Sequence, residues 1–163
     1  LGLFDGVEAE RPALIEFVDY QCGYCRHNEP LVSALAVQAP DLALNIVQFP
    51  ILGEASTVAA RHMLALRTLE GDDAYLKAHH ALMTTDGRAL ADLDRFFADL
   101  GYDAAAISEL ADAPSISDEL QANASLAAAL DLTGTPGFVS RSKIIRGFAD
   151  ATALEAALVA AEN

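Results

Sequence analysis

The sequence predicts an α/β fold in which a strand–helix–strand unit precedes a long helical stretch, a hairpin and a final helix. Three observations carry this prediction. Two apolar runs flank one helical segment, residues 54–132 repeat apolar residues at helical spacing, and two short apolar runs meet at a turn after residue 136. The chain has 163 residues, a length that fits one domain with a sizeable core, so we expect residues 1–163 to form a single domain.

The first half predicts a βαβ unit. Residues 13–18 form an apolar run typical of a buried strand, and a helix follows from Cys22 to about Gln38. Residues 42–49 alternate apolar side chains on both faces, and Pro50 ends this second strand. Because a helix of about 16 residues joins the two strands, they should lie parallel with a right-handed crossover.

Residues 54–132 are predicted to be helical throughout, in five segments separated by glycines and short polar turns. No Pro/Gly-rich linker flanks this stretch, so we interpret it as an insertion packed on the sheet. In the second segment, apolar spacing predicts that the inward-facing residues are Tyr75, Leu76, His79, Leu82 and Met83.

The last part of the chain predicts a hairpin and a helix. Residues 137–140 and 143–146 are short strands around a turn, and Asp150 or Thr152 caps the final helix. The residues of that helix predicted to face inward are Leu154, Leu158 and Ala161. A further short strand near Leu3 and Phe4 is expected from a weaker signal.

The charge of the chain excludes several classes of partner. With 24 acidic and 10 basic residues, the formal net charge is −14. Nucleic-acid backbones and anionic membrane surfaces would be repelled.

The sequence has no run of 18 apolar residues, so no membrane span is predicted. The chain starts at Leu1 without a basic region and an apolar core behind it, so we expect that an export leader has been removed.

The only two cysteines, Cys22 and Cys25, stand where the first helix begins. Unsatisfied N–H groups and the helix dipole favour an anion there, so Cys22 is predicted to be a nucleophilic thiolate. Cys25 lies one turn inside and faces the sheet. A redox-active pair is the favoured interpretation.

Two other interpretations of the cysteine pair stay open. A structural disulfide is possible, although so small a ring removes little entropy from the unfolded chain. Half of a zinc site is also possible, but structural zinc needs two more ligands at similar spacing. The chain has four histidines, and no two of them form the His-x(3–5)-His pattern of such a site. They are His27, His62, His79 and His80.

Glu16 is an acidic residue inside the first apolar strand. A buried carboxylate is costly unless it is paired or carries protons, so Glu16 is a candidate site residue. The alternative is an edge-strand glutamate whose carboxylate reaches water.

Two segments resemble the DsbA-like branch of the thioredoxin superfamily. They are residues 17–25 (FVDYQCGYC), with a proline eight positions after Cys22, and residues 133–138 (TGTPGF). The order of predicted elements also agrees, from about Ala13 to Ala161. The resemblance implies a thioredoxin fold in which a helical insertion, residues 54–132, separates the βαβ half from the C-terminal ββα half.

The resemblance implies a thiol:disulfide oxidoreductase and assigns roles to five residues. Cys22 would be the solvent-facing nucleophile, Cys25 its buried partner, and Glu16 the acid beneath Cys25. Pro136 matches the cis-proline of the family, which presents the backbone of Thr135 to an extended substrate.

The dipeptide between the cysteines, Gly23 and Tyr24, departs from the strongest oxidants of the family, which carry histidine at the second position. We expect both residues to contact the substrate, together with Thr135 and Pro136. Because tyrosine supplies no positive charge, we expect intermediate oxidising power, with Arg26 and His27 as candidates to replace part of that charge.

The resemblance also implies partners and a compartment. We expect folding proteins with free thiols as substrates in the periplasm, a DsbB-like membrane oxidase as the reoxidising partner, and no metal or organic cofactor. No isomerase-type dimerisation domain precedes residue 13, so we expect a monomer. A reductase or isomerase, a non-catalytic redox-sensing module and a glutathione-transferase-like protein stay open as alternatives. The last of these normally has serine where Cys22 stands.

Overall fold

The structure is a computed structural model that describes residues 3–85 and 87–158, without the side chain of Arg88. A four-stranded mixed sheet lies at its centre, with strand order β2-β1-β3-β4. The strands are β1 (Ala13–Val18), β2 (Ala43–Gln48), β3 (Gly137–Ser140) and β4 (Ile144–Arg146). β1 runs parallel to β2 and antiparallel to β3, and β3 is antiparallel to β4. The predicted α/β fold is confirmed.

One face of the sheet is covered by α1 (Gly23–Gln38) and α7 (Ala151–Leu158). Side chains of both helices pack on Leu14 and Phe138 from the two central strands. The Asp150 carboxylate accepts a hydrogen bond from the Ala153 amide at 2.8 Å, which is the predicted cap of α7. The predicted inward residue Ala161 lies outside the described residues.

The opposite face is covered by α6 (Pro114–Ala129). Pro114 stands in the first turn of this helix, where its missing N–H costs nothing. Ile15 and Phe17 of β1 point to this side and pack on Ala127 and its neighbours. Side chains of β1 therefore alternate between two covered faces, which makes this strand the centre of the core.

The predicted helical insertion is confirmed, because no strand occurs in the described part of residues 54–132. Before α6 it contains α2 (Glu54–Glu70), α3 (Asp72–Thr84), a 3₁₀ turn (Arg88–Ala91), α4 (Leu93–Asp99) and α5 (Ala104–Ala111). The third predicted segment is divided in two because the Asp92 carboxylate accepts from the Arg95 amide and begins a new helix.

Two local predictions are wrong. Leu76 was expected to face inward, but it is 38% exposed because the buried stripe of α3 runs through Tyr75, Ala78 and His79. The expected strand near Leu3 is a turn, closed by a hydrogen bond from the Val7 amide to the Phe4 carbonyl.

Each helix in the described part of the chain is too short or too polar to cross a bilayer.

Candidate active site

The turn between β1 and α1 is organised by Asp19, a buried carboxylate. One oxygen accepts from the Gln21 amide (2.8 Å) and the Ser56 hydroxyl (2.6 Å). The other accepts from the amides of Ile51 (2.8 Å) and Leu52 (2.9 Å). The Gln21 bond closes the turn itself, and the other three tie the end of β1 to α2 and to the loop before it. Sequence reasoning missed Asp19, although an aspartate between a strand and a helix start is a common signal for such a turn.

Cys22 occupies the N-cap of α1. Its amide donates to the Asp19 carbonyl at 3.0 Å, and its sulfur accepts from the Cys25 amide at 3.4 Å. The Cys22 thiol also donates to the Thr135 carbonyl at 3.2 Å. Both cysteines are free thiols, so the structure represents the reduced pair.

The two thiols differ less in exposure than the sequence predicts. Cys22 is 6% exposed and Cys25 is 1% exposed, so the order is as expected but Cys22 is nearly buried. The reason is that its sulfur points at the Thr135 carbonyl and not outward. For Cys25, burial raises the pKa of the thiol well above its ordinary range, and the nearby Cys22 adds to this effect.

Glu16 lies on the central strand, between Ile46 of β2 and Phe138 of β3. It shares a face with Leu14 and Val18, and it is buried. The alternative of an edge-strand glutamate reaching water is therefore wrong. Among the described residues, its Oε2 atom has no hydrogen-bond partner.

Burial is the largest of the effects that raise the pKa of Glu16, and the negative charges of Glu29 and Cys22 raise it further. This direction agrees with the predicted proton-carrying acid.

The loop before β3 brings Thr135 to the thiol pair. The Thr135–Pro136 peptide bond is cis, and the Gly147 amide donates to the Pro136 carbonyl at 2.8 Å. A Cβ atom at Gly137 would lie 3.0 Å from the Leu132 side chain, so this position favours glycine.

The dipeptide between the cysteines faces outward. Tyr24 is 68% exposed, and an added Cβ at Gly23 would meet no atom. Cys22, Cys25 and Thr135 are joined by hydrogen bonds, whereas Tyr24 stands beside them at the surface.

Arg26 and His27, the candidates to replace a missing histidine charge, have other contacts. The Arg26 guanidinium donates to backbone carbonyls of the active-site turn and the end of α3. The His27 ring packs edge to face on Phe148, with centroids 5.3 Å apart.

A polar cluster one turn beyond Cys25 was not predicted. The buried Glu29 carboxylate contacts the Ser33 hydroxyl (2.7 Å), His79 Nε2 (3.2 Å) and His80 Nδ1 (2.7 Å). Burial alone would raise the pKa of Glu29. The hydrogen bonds from His79, Ser33 and His80, with the charge of His79, outweigh burial and lower the pKa to about 2.

The cluster continues into the active-site turn. The Tyr20 hydroxyl contacts His79 Nδ1 at 3.0 Å, and Gln48 Nε2 donates to the hydroxyls of Tyr20 (3.0 Å) and Tyr75 (2.7 Å). Burial is the main reason that the pKa of Tyr75 rises to about 12. His79 was predicted to face inward, but its partners were not foreseeable from spacing.

No cluster of three His, Cys, Asp or Glu side chains within residues 3–85 and 87–158 is arranged to hold a metal ion.

Comparison with known families identifies the family of the chain. Residues 13–159 match the DSBA-like thioredoxin domain. The chain belongs to this family. Members of the DsbA-like family are protein disulfide oxidoreductases, so the predicted enzyme class and the thioredoxin fold with a helical insertion are confirmed. No curated protein matches the chain.

Solved structures include close matches to this DsbA-like chain. A thioredoxin-like oxidoreductase from Silicibacter pomeroyi DSS-3 is 32% identical, with a TM-score of 0.80 over 89% of this chain and 83% of that one. The catalytic domain of Proteus mirabilis ScsC is 27% identical, with a TM-score of 0.77 over 94% and 84%. A periplasmic thioredoxin-like protein from Salmonella enterica serovar Typhimurium is 25% identical, with a TM-score of 0.72 over 93% and 86%.

Proposed function

We propose that this chain introduces or exchanges disulfides in exported proteins through Cys22 and Cys25. The observation that carries the proposal is the position of the Cys22 sulfur. It caps the N-terminus of α1, 3.4 Å from the Cys25 amide and 3.2 Å from the Thr135 carbonyl. A helix N-terminus stabilises a thiolate, and a thiolate is the form that exchanges.

The oxidising reaction starts from a Cys22–Cys25 disulfide. A substrate thiolate attacks the Cys22 sulfur, so a bond forms between substrate and Cys22 while the Cys22–Cys25 bond breaks. The electron pair of the broken bond stays on the Cys25 sulfur. Because Cys25 is buried with a raised pKa, that sulfur takes up a proton.

Glu16 is the proposed source of that proton. Its raised pKa favours the protonated carboxyl, and no protein group described in the structure is hydrogen-bonded to its Oε2 atom. In the reverse direction, the Glu16 carboxylate takes the proton back when Cys25 attacks.

Thr135 and Pro136 are proposed to receive the substrate backbone. The Thr135 carbonyl lies beside the sulfur that is attacked, where an extended segment can pair with it. Gly23 leaves open space next to the thiol, and the exposed Tyr24 offers an apolar ring to side chains that flank the substrate cysteine.

A second substrate thiolate then attacks the substrate sulfur bound to Cys22, forming the substrate disulfide and releasing Cys22 as a thiolate. The two electrons now held by the enzyme pass to a DsbB-like, quinone-linked membrane oxidase. The chain would act as a monomer in the periplasm, the compartment named for its Salmonella relative, and would need no metal or organic cofactor.

The test is oxidation of reduced, unfolded ribonuclease A by the oxidised protein, followed as recovery of ribonuclease activity. We expect stoichiometric disulfide transfer from the parent protein and none from Cys22→Ser. Cys25→Ser should trap the mixed disulfide when a disulfide-bonded substrate is offered. A parent protein that transfers no disulfide would contradict the proposal and favour a redox-sensing module.

Tyr24 favours a second direction of exchange, as a reductase or isomerase. An exposed neutral ring stands where the strongest oxidants carry a cationic histidine, so the reduced form gains less stabilisation. Titration of the cysteine pair against glutathione separates the two directions. A strongly reducing pair would assign the reductase, and an intermediate or oxidising pair would assign the oxidant.

A further inference from the structure

The residue after the thiol pair, Arg26, is half-buried and bonded to two parts of the chain at once. One nitrogen, Nη2, donates to the Tyr20 carbonyl at 2.7 Å. The other, Nη1, donates to the carbonyls of Thr85 (2.7 Å), Leu82 (3.2 Å) and Met83 (3.3 Å).

The three carbonyls bonded by Nη1 belong to the end of α3. The last carbonyls of a helix have no intrahelical donors and carry a partial negative charge. α3 has no basic residue in its own last turn, so the cation comes from α1. Arg26 therefore supplies the C-terminal cap of a helix that belongs to the insertion.

The carbonyl bonded by Nη2 belongs to the turn that carries Cys22. Tyr20 lies two positions before this cysteine, between Asp19 and Gln21, which are themselves joined by a hydrogen bond of 2.8 Å. Asp19 fixes the turn to the loop before α2, and Arg26 fixes it to the end of α3. These two attachments together hold the turn, and the turn places the Cys22 sulfur against the first amides of α1.

We infer that Arg26 is a positioning residue for thiol–disulfide exchange, which clamps the turn before Cys22 to the C-terminus of α3. This inference rests on the proposed function. Arginine suits the task because its planar group presents several N–H donors in fixed directions, whereas lysine offers one ammonium point charge. The stabilisation of an anion by a helix N-terminus is lost within about one turn, so a small displacement of the sulfur matters.

The inference is tested with Arg26→Met and Arg26→Lys, and with Arg61→Met as the matched control. Arg61 also caps a helix end, through a bond of 3.1 Å to the Ala111 carbonyl of α5, but it has no bond to the active-site turn. All three variants keep Glu16, Glu29, His27 and His79, so the set of titratable side chains around the thiol pair is the same in each.

The first readout is the pH dependence of iodoacetamide alkylation of Cys22 in the reduced protein. For Arg26→Met we expect the alkylation midpoint to move to higher pH by about half a unit or more, which corresponds to roughly threefold in thiolate fraction. The glutathione equilibrium should move by a similar factor toward the oxidised enzyme, because the reduced form is less stabilised. Arg61→Met should lower the unfolding midpoint without moving either value.

Arg26→Lys distinguishes the effect of the hydrogen bonds of arginine from the effect of its charge, because lysine keeps only the charge. It also provides a variant with a cation at the end of α3 if Arg26→Met does not fold. We expect it to exchange like Arg26→Met. A lysine variant with parental midpoint and equilibrium would overturn the inference, as would a folded methionine variant with parental values. A parent protein unable to oxidise ribonuclease A would instead contradict the proposed function, and that result does not depend on Arg26.

Discussion

Two buried glutamates near the active-site turn, one on β1 and one on α1, have pKa values shifted in opposite directions. Glu16 on β1 and Glu29 on α1 are both buried. Glu16 has a carboxyl oxygen without a described partner and a raised pKa, whereas Glu29 contacts three side chains and has a pKa lowered to about 2. Burial is the largest single effect on both groups and pushes both pKa values upward. The partners, and not the depth of burial, therefore decide whether the pKa of each carboxyl rises or falls.

Because their pKa values are shifted in opposite directions, the two carboxyls are suited to different roles. A carboxyl with a raised pKa and an oxygen that has no described partner is suited to exchange a proton with Cys25, as we propose for Glu16. A carboxylate held by His79, His80 and Ser33 is a fixed negative charge that raises the proton affinity of Glu16.

The largest expected effect comes from removing the fixed charge. Glu29→Gln leaves His79 buried without its anion, and breaking one partner of a buried pair typically costs about 3–5 kcal/mol of unfolding free energy. The control is Glu119→Gln, which breaks the half-exposed pair with Arg67 and should cost less than about 1 kcal/mol. Urea unfolding at pH 7 measures both.

The pH dependence checks the cause of that loss. The pKa of Glu29 in the folded protein, about 2, is below its ordinary value of 4.5, so its stabilising contribution is present above pH 4.5. The contribution disappears as pH falls from 4.5 toward 2. The stability difference between the parent and Glu29→Gln should therefore shrink over this window. An unchanged difference would mean that packing, and not charge, accounts for the loss.

Glu16→Gln should have the opposite sign. Since the folded pKa of Glu16 lies above 4.5, its favourable contribution is complete below pH 4.5 and is lost as pH rises through the folded pKa. At pH 8 we expect the variant to be about 1–3 kcal/mol more stable than the parent, with no difference near pH 4.

The same variant should exchange disulfides more slowly with ribonuclease A, since Cys25 loses its proton donor. Parental stability at pH 8 together with a parental exchange rate would remove the distinction between the two glutamates.

The sequence alone identified Glu16 as a candidate site residue, but it did not identify Glu29. An acid in the middle of an apolar strand is visible without a structure, so Glu16 was predictable from its neighbours alone. The partners of Glu29 lie 50 and 51 residues away on α3, and helical spacing gives no information on which inward side chains meet across two helices. Arg26 was predicted to supply positive charge near Cys22. Its hydrogen bonds to the end of α3 could not be predicted, because they depend on where that helix ends in the folded structure.

The smallest expected effect is the coupling between the two glutamates, and it tests the comparison most directly. Because the charge of Glu29 raises the pKa of Glu16, the stabilisation gained by Glu16→Gln should be smaller when Glu29 is already glutamine. We expect a double-mutant cycle at pH 8 to show a coupling of about 0.5–1 kcal/mol, within the range typical of interacting neighbours. The control cycle pairs Glu16→Gln with Glu119→Gln, and independent sites add within about 0.3–0.5 kcal/mol. Equal stabilisation by Glu16→Gln in both Glu29 backgrounds would mean that burial alone sets the protonation of Glu16. The polar cluster would then serve the stability of the fold without reaching the thiol pair.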